Sequence, residues 1–361
     1  MPETVRKPQL TLSATCLTVI ALIMCFGVMK ILSGLFIQVF LAILFTLMLH
    51  PLVHACVRVG IPKWLTISFI IAITFSLITL FIVLLSGNLR QFTVDLNALL
   101  PAFADGLEEL SKKLNLPSEM DIVSARNVAT QISRWTSSYI FKLANSSLTF
   151  ISNSLFVALM TAFLLLEIQN YHYKFQTVFS SETSQRFAQI GAEVTSSMSR
   201  YLLIKTFISG LTGFTIYLCL MVAGANYASM WGILGFVFNF VPVIGSAIIM
   251  AATMAMALLQ LRANPMAMWF VLISMPGLQL VYGQILEPRL QGNSLNISPF
   301  VVLIGVLFWG WMWGAPGVFL SVPMMVFIKV LVANFGPYKA LSALMEIGAP
   351  PKDWTSIDPA K

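Results

Sequence analysis

Glu287, Pro288 and Arg289 place two opposite charges directly after an apolar run that begins at Met266. A charged side chain at membrane depth costs roughly 2.5 to 3.5 kcal/mol on insertion scales, so such a residue usually serves an ion or a solute. Pro288 disfavours the helical conformation at Glu287, which predicts that the helix ends near Leu286. In a broken segment the carboxylate and the guanidinium can converge on each other or on a ligand. A solvated loop just past the apolar run is the alternative that the spacing leaves open.

The apolar run of residues 230–261 is interrupted between Asn239 and Gly245, where the sequence reads N-F-V-P-V-I-G. Pro242 has no backbone N–H, so we expect it to leave the carbonyl of Phe238 without a helical partner, beside the Asn239 side chain. In hydrocarbon an unpaired carbonyl is tolerated only where protein or a water-filled cavity satisfies it. Paired segments that Gly and Pro interrupt are therefore a pointer to a transport site. We interpret the break as part of a pathway, with a packing kink as the alternative.

The spacing of histidine and cysteine argues against a metal centre and against an enzyme. His50 and His54 share one helical face, a spacing that can bind a metal, yet no third ligand stands near them in the sequence. The 4 Cys form no C-x-x-C pair, and the chain contains neither H-E-x-x-H nor G-x-S-x-G. We expect no metal, no cofactor and no catalytic activity.

The amino-acid composition indicates the environment that surrounds these residues. Of 361 residues, 58% are hydrophobic and 10% are charged, against about 25% charged in a globular protein. With 27 Phe and 19 Met the chain has more apolar surface than one soluble core can bury, so we expect its partner to be the lipid bilayer. The net charge of +7 comes without a run of Lys and Arg longer than a pair, and no nucleic acid is expected as a partner.

Uninterrupted apolar runs of about 20 residues, the length that spans a bilayer, predict the transmembrane helices. They are residues 10–29, 31–49, 64–86, 148–166, 207–223 and 266–282. Two further runs, 230–261 and 297–332, are broken, the second at 313–317, and each is either a re-entrant hairpin or two short spans. The total is then about six to ten crossings. We expect an all-α integral membrane protein, a polytopic bundle of about six to eight transmembrane helices with broken or re-entrant hairpins.

Two amphipathic stretches lie between these spans. In residues 87–146 charges of both signs alternate with a helical stripe that includes Phe103, Leu107 and Leu110, which predicts a small helical domain outside the membrane. A second stripe is expected to lie along the membrane surface or against a neighbouring subunit, which favours a homo-oligomer. Its members are Phe187, Ile190, Val194, Met198 and Tyr201.

The predicted order along the chain therefore has six parts. They are the first three transmembrane helices (1–86), the extramembrane domain (87–146), the fourth transmembrane helix (147–166), a cytoplasmic amphipathic segment (167–206), a transmembrane core with breaks at 239–245 and 313–317 (207–334), and a cytoplasmic tail (335–361). Either form of the broken runs returns to its own side, so both termini share one side of the membrane. The short outer loops then carry only Lys30 and Arg262, which places both termini in the cytoplasm by the positive-inside rule.

Several long motifs in the second half of the chain are also those of a known family. They are Y-L-L-I-K (201–205), N-F-V-P-V-I-G-S (239–246), I-L-E-P-R-L-Q-G (285–292), S-P-F-V-V-L (298–303), L-F-W-G-W-M-W-G (307–314) and L-S-V-P (320–323). Through these motifs the chain resembles the autoinducer-2 exporter family, also described as PerM-type permeases, over nearly its whole length. F-L-L-L-E ending at Glu167 adds support, whereas His50 stands before Pro51 where the family often has Asn.

The resemblance implies an all-helical protein of the bacterial inner membrane that assembles as an oligomer. Some members of the family are linked to export of the quorum-sensing molecule autoinducer-2 and others to sodium/proton exchange. We therefore expect a permease that exports a small polar solute, with autoinducer-2 as the expected signal molecule and a sodium/proton antiporter as the first alternative. A non-transporting membrane scaffold whose partner binds residues 87–146 is the second. The expected pathway or gating residues are Asn239, Pro242, Gly245, Glu287, Pro288 and Arg289, with Glu167, Lys205 and Gln284 as secondary candidates.

Overall fold

The computed structural model describes residues 12–113, 131, 147–178, 181–242, 244–291, 296–334 and 339–346, and these are helical apart from short turns. The helices, with one π-helical segment at Leu280–Leu286, are α1 (Leu12–Ile31), α2 (Ser33–Arg58), α3 (Lys63–Lys113), α4 (Ser147–Val178), α5 (Ser181–Val222), α6 (Ala228–Phe238), α7 (Ile244–Gln260), α8 (Pro265–Gln279), α9 (Glu287–Gln291), α10 (Pro299–Trp313), α11 (Ala315–Asn334) and α12 (Lys339–Leu344). The predicted all-helical class is confirmed.

Within the described ranges, 5 helical stretches are long and apolar enough to cross a membrane. They are Ser33–Arg58, Lys63–Leu89, Ala188–Val222, Pro265–Gln291 and Ala315–Ala333. The first four contain most of the predicted spans 31–49, 64–86, 207–223 and 266–282, and the fifth is the second half of the broken run 297–332. The described part of the run 10–29 and the run 148–166 are helical as predicted, in α1 and α4. The chain is a multi-pass helical membrane protein.

Helix α5 lies at the centre of the bundle, because it contacts α2, α4, α6, α8 and α11. Side chains of α5 and α11 fill the interior, whereas α3 and α8 turn large apolar side chains outward, such as Phe69 at 65% exposure and Ile273 at 70%. Exposed apolar faces of this size are stable only against lipid or another apolar surface. The outward faces of α3 and α8 therefore form the apolar outside of the bundle.

The boundary expected at residues 86 and 87 has no counterpart in the helix itself. α3 continues from the apolar stretch directly into the amphipathic one, as far as Lys113. The rest of the predicted extramembrane domain, apart from residue 131, lies outside the described residues, as do residues 347–361 of the predicted tail. The existence of that domain stays a prediction.

The amphipathic stripe of α5 packs inside its own chain, and the expectation of a membrane-surface or intersubunit contact is wrong for its described members. Met198 and Tyr201 are 2% and 4% exposed, in a cluster with Val322 and Val326 of α11, and Ile190 and Val194 pack against the same cluster. The sequence could not show this partner, because α11 follows more than a hundred residues later. The homo-oligomer stays a prediction that this stripe no longer supports.

Helices α5 and α6 approach each other so closely that their backbones touch. A Cβ on Gly213 would lie 2.5 Å from the carbonyl oxygen of Gly232, and a Cβ on Gly232 would lie 2.8 Å from that of Gly213. A Cβ on Gly235 would meet the Ile216 side chain at 2.7 Å. Small residues permit this close packing between membrane helices. We call Gly213, Gly232 and Gly235 the glycine seam.

Both predicted breaks are confirmed, and the two turns share one construction. α6 and α7 form one helical hairpin and α10 and α11 form the other. In the first turn Gly245 lies against the Phe238 carbonyl, where a Cβ would come within 1.8 Å of the oxygen. In the second, Gly317 lies against the Trp309 carbonyl, with 1.9 Å for the corresponding distance. Only glycine permits these contacts.

The opposite end of the α6–α7 hairpin is attached to α3. Tyr227, in the turn before α6, donates its hydroxyl to Asp95 at 2.5 Å, and Phe92 packs edge-on against Tyr227 and Trp231. Burial, with the hydrogen bond to Asp95 and its negative charge, raises the pKa of Tyr227 to about 12. This end of the hairpin is therefore fixed to a helix that extends beyond the apolar stretch.

The described part of the predicted tail, residues 339–346, packs back onto the bundle. The backbone N–H of Ser298 donates to the carbonyl of Met345 at 2.8 Å. Lys329 of α11 pairs with Glu346 at 3.1 Å and also donates to the carbonyl of Asn296 at 2.9 Å. This second ion pair is more exposed than the one in the candidate site described below.

Candidate functional site

A buried ion pair joins α5 to α9. The ammonium of Lys205 lies 2.5 Å from a carboxylate oxygen of Glu287, and the two side chains are 3% and 20% exposed. Gln291, one turn further along α9, donates to the same oxygen at 3.0 Å. A buried charge is strongly unfavourable unless it is paired and hydrogen-bonded, and here each charge satisfies the other.

The helix continues through Pro288, so the prediction that it ends near Leu286 is wrong. A π-helical segment occupies Leu280–Leu286, and α9 begins at Glu287 with helical dihedral angles. The backbone N–H of Glu287 donates to the carbonyl of Tyr282, five residues back, so Pro288 follows a turn that is wider than that of a regular α-helix.

Because the helix is continuous, Glu287 and Arg289 point in different directions. Glu287 turns inward to Lys205, whereas Arg289 and Pro288 are exposed. The expected convergence of carboxylate and guanidinium does not occur, and Lys205, a secondary candidate in the sequence, supplies the positive charge instead. The remaining secondary candidate outside this region, Glu167, lies at the end of the apolar part of α4.

The Asn239 side chain also has a partner that the sequence does not show. Its amide donates to the hydroxyl of Ser209 on α5 at 3.0 Å, and both residues are buried. The expectation that Pro242 leaves the Phe238 carbonyl free is wrong, because the backbone N–H of Val241 donates to it at 2.9 Å. The turn thus provides a partner for the Phe238 carbonyl and attaches the Asn239 side chain to α5.

A cavity of about 320 Å³ opens between the first turn, the start of α7 and the π-helical segment. The ion pair and the amide groups of three side chains give it polar walls. Its lining consists of Lys205, Asn239, Val241, Pro242, Ser246, Ala247, Met250, Gln279, Gly283, Gln284 and Glu287. A cavity of this size lies at the small end of the range for small-molecule sites.

The predicted residues thus divide into two groups. Lys205, Asn239, Pro242, Gln284 and Glu287 line the cavity, and their functional role stays a prediction. Gly245 lies against the Phe238 carbonyl and allows the turn to close. Neither it nor Pro288, Arg289 or Glu167 is among the lining residues.

Sequence reasoning missed Ser246, Gln279 and Gly283 in the cavity wall. The signal that could have found two of them is local, since Gln279 and Gly283 lie inside an apolar run, eight and four residues before Glu287. On a helix with a wide π turn, residues four apart remain on one face.

This arrangement can hold a small polar molecule. The charges of the ion pair cancel, and carboxamides, which both donate and accept hydrogen bonds, surround it. His50 and His54 stack with ring centroids 6.2 Å apart, and neither residue lines the cavity. Within the part of the chain that the structure describes, no three His, Cys, Asp or Glu residues are grouped to hold a metal.

Comparison with known proteins adds independent information. Residues 19–335 match the family described as AI-2E family transporter. The chain is similar to AI-2 transport protein TqsA of Escherichia coli (strain K12), with 28% identity over 348 residues that cover 94% of this chain and 98% of TqsA. It is also similar to a protein of Borreliella burgdorferi named "Putative transport protein". The identity is 30% over 319 residues, which cover 88% of this chain and 86% of the relative.

Proposed function

Since the chain belongs to the AI-2E transporter family, we propose that it carries a small polar solute of the AI-2 kind across the membrane through the cavity beside Lys205 and Glu287. The relative TqsA is named as a transporter of AI-2, and that name is the ground for proposing this solute. The proposed direction is outward, from a bacterial inner membrane in which both termini face the cytoplasm. A homo-oligomer is part of the same proposal.

The observation that carries this proposal is the position of the ion pair. Lys205 and Glu287 come from two long apolar helical stretches and meet at a cavity that the turn of a broken helix closes. Ionisable side chains inside membrane helices are rare and commonly mark a solute or ion pathway. A purely structural contact would have been cheaper to build from apolar side chains of the same volume.

Sodium/proton exchange is the alternative that needs a carboxylate able to release and bind a proton. Glu287 is the acidic residue at the cavity, and it accepts hydrogen bonds from both Lys205 and Gln291. An exchange cycle through Glu287 would have to break the contacts with Lys205 and Gln291 in every turnover. A solute that binds beside the intact pair needs no such step, which favours the solute permease.

The decisive experiment is transport by the purified protein in liposomes, with labelled AI-2 in one series and a sodium/proton exchange assay in the other. We expect AI-2 flux without sodium/proton exchange. Glu287→Gln keeps the shape of the side chain and removes its charge, so the AI-2 flux should fall. The pH dependence of that flux should change little.

Two results would contradict the proposal. The first is sodium/proton exchange that Glu287→Gln abolishes, since this supports the antiporter. The second is the absence of any flux from protein that is folded and inserted, since this supports a scaffold role. Arg289→Gln is a matched control, because Arg289 lies on the exposed side of the same short helix and should leave AI-2 flux unchanged.

A further inference from the structure

Two carboxamides in the cavity wall differ from the other polar groups there. Lys205 and Glu287 form an ion pair with each other, and the Asn239 amide donates to Ser209 of α5. Gln279 and Gln284 line the same cavity, and among the residues that the structure describes neither side chain has a hydrogen-bond partner. The half-buried side chain of Gln279 lies in the cavity wall, so its amide is available to a molecule that enters the cavity.

The position of the Gln279 amide depends on a glycine. A Cβ on Gly283 would lie 2.6 Å from Nε2 of Gln279 and 3.3 Å from its Cδ, so the amide lies across the place that a side chain at Gly283 would take. All three of the nearest atoms belong to the Gln279 side chain, and no neighbouring helix requires a small residue there. Glycine lowers helix stability, so packing alone does not explain its presence.

We propose that Gln279 is a solute-binding residue of the cavity and that Gly283 is the residue that positions its amide. The inference rests on the proposed transport function and names the group that binds the solute. An amide offers one acceptor and two donors at a fixed spacing, which complements a hydroxyl-bearing, uncharged solute. The π-helical segment keeps Gln279 and Gly283 on the same face as Glu287, so the amide and the ion pair face one molecule.

The test measures both the binding and the flux of labelled AI-2 in Gln279→Leu, which keeps the size and removes the hydrogen bonds. We expect KM and the dissociation constant to rise about five- to ten-fold, the equivalent of one or two hydrogen bonds, with little change in maximal flux. Gly283→Ala should produce the same rise, because the methyl group displaces a flexible side chain without unfolding the helix. The double variant should be no worse than either single one, since both remove the same interaction.

Gly277→Ala is the matched control, because it lies in the same helix and a Cβ there would meet nothing within 4 Å. An unchanged KM in Gln279→Leu, with wild-type flux present, overturns the inference and leaves the proposed function intact. A rise in Gly277→Ala equal to that in Gly283→Ala also overturns it, since helix propensity would then explain both.

A solute-independent measurement decides the inference if the wild-type protein carries no AI-2. Gln279→Cys is made after Cys16, Cys25, Cys56 and Cys219 have been replaced, and its rate of reaction with a water-soluble thiol reagent is compared with that of Ile273→Cys on the outward face. Faster reaction at 279, slowed by the Gly283→Ala change, supports the inference. Equal or slower reaction at 279 refutes it, because the amide would not then face a water-filled cavity.

Discussion

The pair of Lys205 and Glu287 predicts a specific pattern of stabilities in a double-mutant cycle. Removing one partner of a buried ion pair costs about 3 to 5 kcal/mol, because the other charge stays buried. Glu287 is 20% exposed and opens on the cavity, so we expect about 3 kcal/mol, the lower end, for Lys205→Met. Glu287→Met should cost about as much or more, since Lys205, at 3% exposure, has less access to water.

The double variant Lys205→Met/Glu287→Met should lose about 3 kcal/mol or less, well below the roughly 6 kcal/mol that independent sites would give. Glu287→Gln should lose only about 1 to 2 kcal/mol, because its amide oxygen still accepts from Lys205. Reversible unfolding in mixed detergent micelles, followed by tryptophan fluorescence, measures all four variants. Glu346→Met provides the matched control, because the pair of Lys329 and Glu346 is 12% and 33% exposed and should contribute about 1 kcal/mol or less.

Additive losses in the double variant would refute this reasoning. They would mean that the two charges are stabilised by other groups and that their proximity is incidental. A double variant that is stable and still transports normally would agree with the energetic coupling of the two charges. It would also show that transport does not need the pair.

Three further predictions concern the turn, the hairpin end and the topology. Gly245→Ala should destabilise the protein by about 2 kcal/mol or more and reduce flux, since its Cβ would overlap the Phe238 carbonyl, whereas Gly210→Ala, which meets nothing within 4 Å, should do neither in unfolding and flux assays. The difference in phenol absorbance between the wild-type protein and Tyr227→Phe should titrate near pH 12. Because folding raises this pKa, the contribution of Tyr227 to stability is complete below its unfolded value of about 10 and falls between about pH 10 and 12, and a midpoint near 10 would contradict the contact with Asp95. Cysteine labelling in whole cells should find both termini on the cytoplasmic side and residue 110 on the other, and termini on opposite sides would overturn the count of crossings.

Local features of this fold could be predicted from the sequence because their causes are local. Apolar runs predicted the helices, and the Pro242 and Gly245 pattern predicted the first turn, since each depends on neighbours within a few residues. The helix at Pro288 could not be predicted in the same way. The proline rule is correct for a regular α-helix, and the π-helical segment before Glu287 creates the exception.

The partners of the site residues could not be predicted, because they are distant in sequence. Lys205 and Glu287 are separated by 82 positions and Asn239 and Ser209 by 30, and pattern alone does not show which helices become neighbours. The sequence pattern favours Arg289 as the partner of Glu287, because the two residues are only two positions apart. On a continuous helix that spacing separates the two side chains, and tertiary packing selects a different cation.

The glycine seam also bears on how the chain enters the membrane during synthesis. With 11 residues at about 1.5 Å each, α6 extends over roughly half of a hydrocarbon core about 30 Å thick, so it is too short to leave the translocon as an independent span. α5 is synthesised first and offers Gly213 as the surface on which the backbone of Gly232 docks. A side chain added at Gly213 or Gly232 would hold the two backbones apart, so we expect it to impair membrane insertion of the α6–α7 hairpin as well as its final packing.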